Sequence, residues 1–170
     1  RAEAEQMIRR MTDVAANNGL DFRFDRIRPG NTFDAHRVVH LARQRGKQDA
    51  VKERFFRAYL SEGAPIGDPE TLVRLGAEAG LDPEEVRATL ASDAYALDVR
   101  EDEEEATELG IRGVPFFIVG GRHAISGAQP AEILLRALTL AWKEVAERPV
   151  PSASQGAEIC GAEGCAVPQR

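Results

Sequence analysis

Cysteine is almost absent from this chain: its 170 residues hold two, Cys160 and Cys165, both within the last eleven positions. That count excludes a disulfide-scaffolded fold, so a hydrophobic core must carry the stability. Aromatic residues are scarce at 6%, with a single Trp. No apolar run approaches the roughly 18 residues that a membrane span needs, so no membrane partner is expected. A secretory leader pattern is also missing, in a sequence that starts at Arg1. Basic side chains are the minority, 22 against 28 acidic ones, for a net charge of -6. This argues against nucleic acid as a partner, because neutralising phosphates takes clustered Lys and Arg. Internal repeats of solenoid length are absent.

Hydrophobic residues at 43% and charged residues at 29% are the balance of a soluble globular domain with a real core. Ala4, Met7, Ile8, Met11, Val14 and Ala15 recur at helical spacing before Gly19, predicting a first helix to about Asn18. Phe22–Asp25 alternates and reads as a strand or an extended link. Asn31 or Thr32 is placed to cap a second helix, 33–45, whose stripe is Ala35, Val38, Val39 and Ala42. A third helix clusters Val51, Phe55, Phe56, Tyr59 and Leu60 on one face. Asp68-Pro69 and Asp82-Pro83 each combine a cap with proline at the first helical position, starting two shorter helices. Asp93 is the expected cap of a sixth helix reaching about Leu109, with the run Glu101–Glu105 as a solvated face.

At Gly110 the pattern changes. Pro115–Val119 and Arg122–Ser126 flank Gly120-Gly121 and read as a tight antiparallel hairpin. Phe116-Phe117-Ile118 is apolar on both faces, which predicts an interior strand covered on each side. A two-stranded ribbon alone is marginal in water, so partner strands are expected from sequence outside these 170 residues. A last helix carries Leu134, Leu138, Ala141, Trp142 and Val145 on one face. Beyond Pro149 the composition turns to Ser, Ala, Gly and Gln, as in a flexible tail.

The segment Glu108-Leu-Gly-Ile-Arg-Gly-Val-Pro-Phe-Phe-Ile-Val119, with Gly127-Ala128-Gln129-Pro130 after it, resembles the second half of a DsbA-type thioredoxin-like domain. Asn31-Thr32-Phe33-Asp34-Ala35-His36-Arg37 together with Ser126–Pro130 resembles the FrnE branch of that family. The resemblance runs from residue 1 to about 147. It implies an α/β, thioredoxin-like fold with an all-helical insertion, this chain being mostly helical with one β-hairpin. The implied organisation is 1–30 as the start of the insertion and a link, and 31–109 as the helical insertion. Residues 110–148 would then be the C-terminal half of the thioredoxin-like domain, and 149–170 the tail. The family's Cys-x-x-Cys does not occur in this sequence. The resemblance further implies a cis bond before Pro115, a backbone at Val114 that pairs with extended polypeptides, and Asn31 and His36 as possible active-site lining.

Cys160-Gly-Ala-Glu-Gly-Cys165 brings two thiols within reach of the roughly 5.5–6 Å Cα separation of a disulfide. Three readings are open: an exchangeable dithiol, a static pair and a metal site. Two cysteines with no second ligand pair make a poor zinc signature, and no metal or cofactor is expected. Glu158 and Glu163 should raise the thiol pKa values, which favours an auxiliary role over primary attack. His36 and His40 lie one helical turn apart and project near each other, as active-site lining or as satisfied surface histidines. His123 has no partner visible in sequence.

The expected function is a thiol–disulfide oxidoreductase or protein disulfide isomerase with an auxiliary C-terminal dithiol at Cys160 and Cys165. Its partners would be cysteine-containing polypeptides and a thiol reductant or oxidant, and its location the cytoplasm. One alternative is an enzyme similar to hydroxychromene-carboxylate isomerase or kappa-class glutathione transferase. The other is a non-catalytic helical interaction module.

Overall fold

The computed structural model describes residues 2–146. Its elements, in chain order, are α1 (Ala2–Asn17), α2 (Phe33–Gln44), α3 (Gln48–Arg57), a π-helical turn (Ala58–Glu62), α4 (Pro69–Glu78), α5 (Pro83–Leu90), α6 (Ala96–Glu108), β1 (Phe116–Val119), β2 (His123–Ser126) and α7 (Ala131–Ala146). Two compact units divide between Leu109 and Gly110. Among the described residues no helix is long and apolar enough to cross a membrane.

In the first unit α2 is the hub, packing against α3, α4, α5 and α6. Its stripe residues Ala35, Val38 and Ala42 are buried with Leu41, and they meet Val51 and Phe55 of α3, Leu72 and Leu75 of α4, and Val86 of α5. Both Asp-Pro starts form as the sequence predicts. Asp68 accepts from Thr71 N–H and Asp82 from Glu84 N–H, each ahead of a proline whose missing donor costs nothing at that position. Asn31 closes the turn into α2 by accepting from Phe33 N–H at 2.9 Å, while Thr32 holds the cap position without a side-chain bond.

Of the two readings of Phe22–Asp25 the link holds, with a turn, its Phe22 and Phe24 rings meeting edge to face at 5.9 Å. Two expectations are corrected in this unit. Phe56 is 60% exposed, not part of the packed face of α3. Asp93 does not cap α6, which starts at Ala96 after Tyr95 in a left-handed conformation, φ 61°. The cause is Arg37, a buried side chain whose guanidinium donates to the carbonyl oxygens of Thr89, Ser92 and Ala94 and to Asp34. Those bonds hold the chain in a non-helical corner past the point where Asp93 would start a helix.

In the second unit Phe116 pairs with Ser126 and Val119 with His123, antiparallel. Gly120 and Gly121 both take positive φ, the sign a type I′ turn requires, and Arg122 N–H donates to Val119 O. A side chain on Gly120 would sit 3.1 Å from Ala141 Cβ, so glycine also permits the close approach of α7. The expectation of a strand buried on both faces is not met among the described residues, since Phe117 and Ile118 are 40% and 44% exposed. The expected packed stripe of α7 is likewise open at Leu138, Trp142 and Val145, while Ala141 is buried.

Replacing Arg37 by Met removes four bonds to a charged donor and is expected to lower the urea-unfolding free energy by about 2–4 kcal/mol. Acid should weaken the first unit too. Hydrogen bonds from Thr71, Arg54 and Arg45 hold Asp68, Glu78 and Glu85, respectively, below their ordinary values of 3.8 and 4.5. A depressed carboxylate contributes stability that is complete above its unfolded value and is lost as pH falls through its lower folded value. Urea midpoints should therefore be flat above about pH 5 and decline below pH 4, with a shallower decline in Glu78→Gln/Glu85→Gln.

Candidate functional site

The sequence-predicted site residues fall in three places. Cys160 and Cys165 lie outside the described residues, as does the tail that carries them.

Val114 and Pro115 open the hairpin. Their peptide bond is cis. Gly127 N–H donates to Pro115 O at 2.8 Å, extending the strand pairing by one step and tethering the proline. Immediately before that tether the chain is free: Val114 is 89% exposed and makes no hydrogen bond among the described residues. Unpaired main-chain N–H and C=O groups at such a position can take up an extended polypeptide by hydrogen bonding. His123, on β2, does have a partner, Glu144 of α7, at 3.1 Å.

Asn31 and His36 belong to the start of α2, and the structure separates their roles. Asn31 is occupied in its turn, whereas His36 is exposed and lines a cavity of about 290 Å³. The walls are Ala35 and Val39 of α2, Phe55 and Phe56 of α3, Tyr59 of the π turn and Ile66, with Thr32 and Lys52 completing the lining. His40 goes elsewhere: its Nε2 lies 2.9 Å from Asp102 and its ring stacks on Tyr95 at 6.4 Å. One turn of helix therefore places the two histidines in different surroundings.

The π turn is the feature that sequence reading missed. The apolar pattern runs through Tyr59 and Leu60 without a break and gives no signal of a wider turn. It ends at Gly63, φ 71°, where Ala64 N–H reaches back to Ala58 O. Single π turns recur at functional sites because they re-aim side chains within a helix. Here Tyr59 lines the cavity, and Leu60, Ser61 and Glu62 line a larger groove of about 700 Å³ that shares Phe56 with it. Among the described residues no group of three or more His, Cys, Asp or Glu is placed to hold a metal ion.

A family model described as DSBA-like thioredoxin domain matches residues 1–139. The uncharacterized protein YwbO of Bacillus subtilis (strain 168) is 29% identical over 128 residues, a match covering 74% of this chain and 64% of that protein. Among solved structures, the probable DsbA oxidoreductase SCO1869 from Streptomyces coelicolor is similar with a TM-score of 0.81 and 44% identity. That match covers 99% of this chain and 71% of the other. The chain thus spans less than two thirds of the curated relative that it matches.

A methyl group on Gly63 would lie 2.6 Å from Arg26 O and 2.7 Å from Arg26 Cβ, at a backbone angle that side chains rarely adopt. Gly63→Ala should therefore destabilise the chain by about 1–3 kcal/mol in urea titrations, more than Gly19→Ala. The comparison isolates crowding, because Gly19 shares the positive φ but has open space around it.

Proposed function

The chain belongs to the DSBA-like thioredoxin domain family, and from that premise we propose that it serves thiol–disulfide exchange on cysteine-containing polypeptides. The observation that carries this reading is the open backbone at Val114, immediately ahead of a cis-bonded Pro115 that is tethered to Gly127. A polypeptide bound there contributes its own main-chain groups, so recognition needs little sequence information. The structural similarity to a probable DsbA oxidoreductase supports the same chemistry.

In this proposal Cys160 and Cys165 form the auxiliary dithiol. Primary attack on the substrate falls to a Cys-x-x-Cys of the family type, and the pair exchanges with it. One thiolate of the pair attacks a sulfur of the Cys-x-x-Cys disulfide, forming a mixed disulfide and releasing one of its thiolates. The second thiolate then attacks the bonded cysteine, closing Cys160–Cys165 and releasing the other Cys-x-x-Cys thiolate. Two electrons thus pass to the Cys-x-x-Cys and from it to the substrate, and a thiol reductant resets the pair. Run backwards with an oxidant, the same steps insert a disulfide, and alternation of the two gives isomerisation. The proposed compartment is the cytoplasm, where a standing disulfide is unusual and a transient one is the rule.

The test follows native disulfide formation in a reduced, unfolded substrate protein mixed with the chain and a DsbA-type Cys-x-x-Cys protein in a glutathione couple. The wild-type chain should raise the rate, and Cys160→Ser should lower that gain several-fold while leaving the far-UV spectrum unchanged. Equal rates with the two proteins would dismiss the auxiliary dithiol.

A further inference from the structure

The cavity between α2, α3 and the π turn has a lining that main-chain pairing at Val114 does not explain. Its lining is mostly apolar, and Thr32, His36, Lys52 and Tyr59 are the residues of that lining with polar side-chain groups. None of those four side chains has a hydrogen-bond or ion-pair partner among the described residues. Neighbouring cations of the same helices are engaged: Arg54 with Glu62 and Glu78, Arg45 with Glu85. In a chain with 28 acidic residues, no carboxylate lines this cavity. Its chemistry is therefore an apolar slot with a cation and free hydrogen-bonding groups beside it.

Size and surroundings narrow the occupant. A volume of about 290 Å³ lies at the floor of the range for whole small-molecule sites and suits one large side chain. On the other side of the exposed Phe56 runs the larger groove, whose lining includes Asp21 and Glu53. Arg57, also there, is drawn to Glu62 at 3.5 Å, so the groove keeps an acidic surplus. Two concavities sharing one aromatic wall, one lined by a cation and no carboxylate and the other with an acidic surplus, match an extended chain better than a compact ligand.

We propose that this surface is a side-chain subsite for a polypeptide. The cavity seats an aromatic or branched aliphatic residue, an acidic neighbour lies beside Lys52 and His36, and a basic residue lies over the groove near Asp21 and Glu53. The proposal rests on the reading of polypeptides as substrates and adds to it a sequence preference.

The experiment uses end-blocked, cysteine-free fluorescent peptides, with affinity read by anisotropy on the whole chain. Glu-Phe-Gly-Lys should bind best, and the charge-exchanged Lys-Phe-Gly-Glu about three- to tenfold more weakly. Replacing Phe by Ala should remove measurable binding. Lys52→Glu should reverse the charge preference, a readout that a general loss of folding cannot produce. Ile66→Trp, which fills the slot, should abolish the preference for Phe. Equal binding of all three peptides, no binding at millimolar concentration, or an unchanged preference in Lys52→Glu would overturn the proposal. Because the peptides carry no sulfur, such a failure leaves thiol exchange untouched. Conversely, failed exchange in Cys160→Ser leaves peptide binding intact.

Discussion

The first unit depends on one buried cation. Arg37 sits 5% exposed in the middle of α2 and carries five N–H donors and no acceptor, so every donor it turns inward needs an acceptor. It finds them in the carbonyl oxygens of Thr89, Ser92 and Ala94 and in Asp34. Those carbonyls belong to the corner after α5, where no helix can satisfy them. Charge and corner thus solve each other's problem. The corner forces Tyr95 into the left-handed region, and α6 returns along α2, where Arg100 covers the Phe33 ring and Asp102 meets His40. Phe33, Arg37 and His40 occupy one face of α2, which leaves the face with Ala35, His36 and Val39 for the cavity. A bond network remote from the cavity therefore fixes the helix that forms its wall.

The two units differ in how completely they bury their apolar residues. The helical unit encloses a contiguous core from Ala35 to Val86. From Gly110 on, only Ile125 and Ala141 are buried hydrophobics among the described residues, while Leu135, Leu138, Leu140 and Trp142 stand open on α7. The stripe of α1 is also open at Met7, Met11 and Val14. The periodicity that marks those positions as a buried stripe describes the side chains correctly. Which surface covers them is a tertiary fact that periodicity does not contain.

Legibility in the sequence followed the locality of the cause. Asp68-Pro69, Asp82-Pro83 and Gly120-Gly121 act within a few residues of themselves, and their helices and turn form where the sequence puts them. Asp93 carries an equally good local signal and fails, because Arg37, more than fifty positions away, outbids it. The π turn fails for a different reason. A wider helical turn keeps the composition of an α-helix, and its terminator Gly63 reads as an ordinary stop. Val114 and Pro115 were legible as a pair through the family resemblance. The openness of Val114 is a property of the folded edge and has no counterpart in the letters. Of the two residues singled out near α2, His36 lines a cavity and Asn31 serves its turn, a division that side-chain type alone leaves undecided.

Main-chain pairing and side-chain pockets contribute differently to recognition, and the two proposals made for this chain use one each. Hydrogen bonds along a strand edge are available to any extended polypeptide, so an edge alone confers affinity without choice. Choice requires a free-energy difference between candidate sequences, and a pocket supplies it by rewarding one side chain and leaving others unfilled. A charged group beside the pocket sharpens that difference, since a like charge placed against it is penalised as well as unrewarded. An exchange protein acting on unfolded substrates benefits from a weak version of such selection. Apolar residues flanked by charge are what an unfolded chain exposes and a folded one hides. Under the proposed function, a slot of one side chain's volume, with Lys52 beside it and no carboxylate in its lining, adds such a selection to the exchange chemistry.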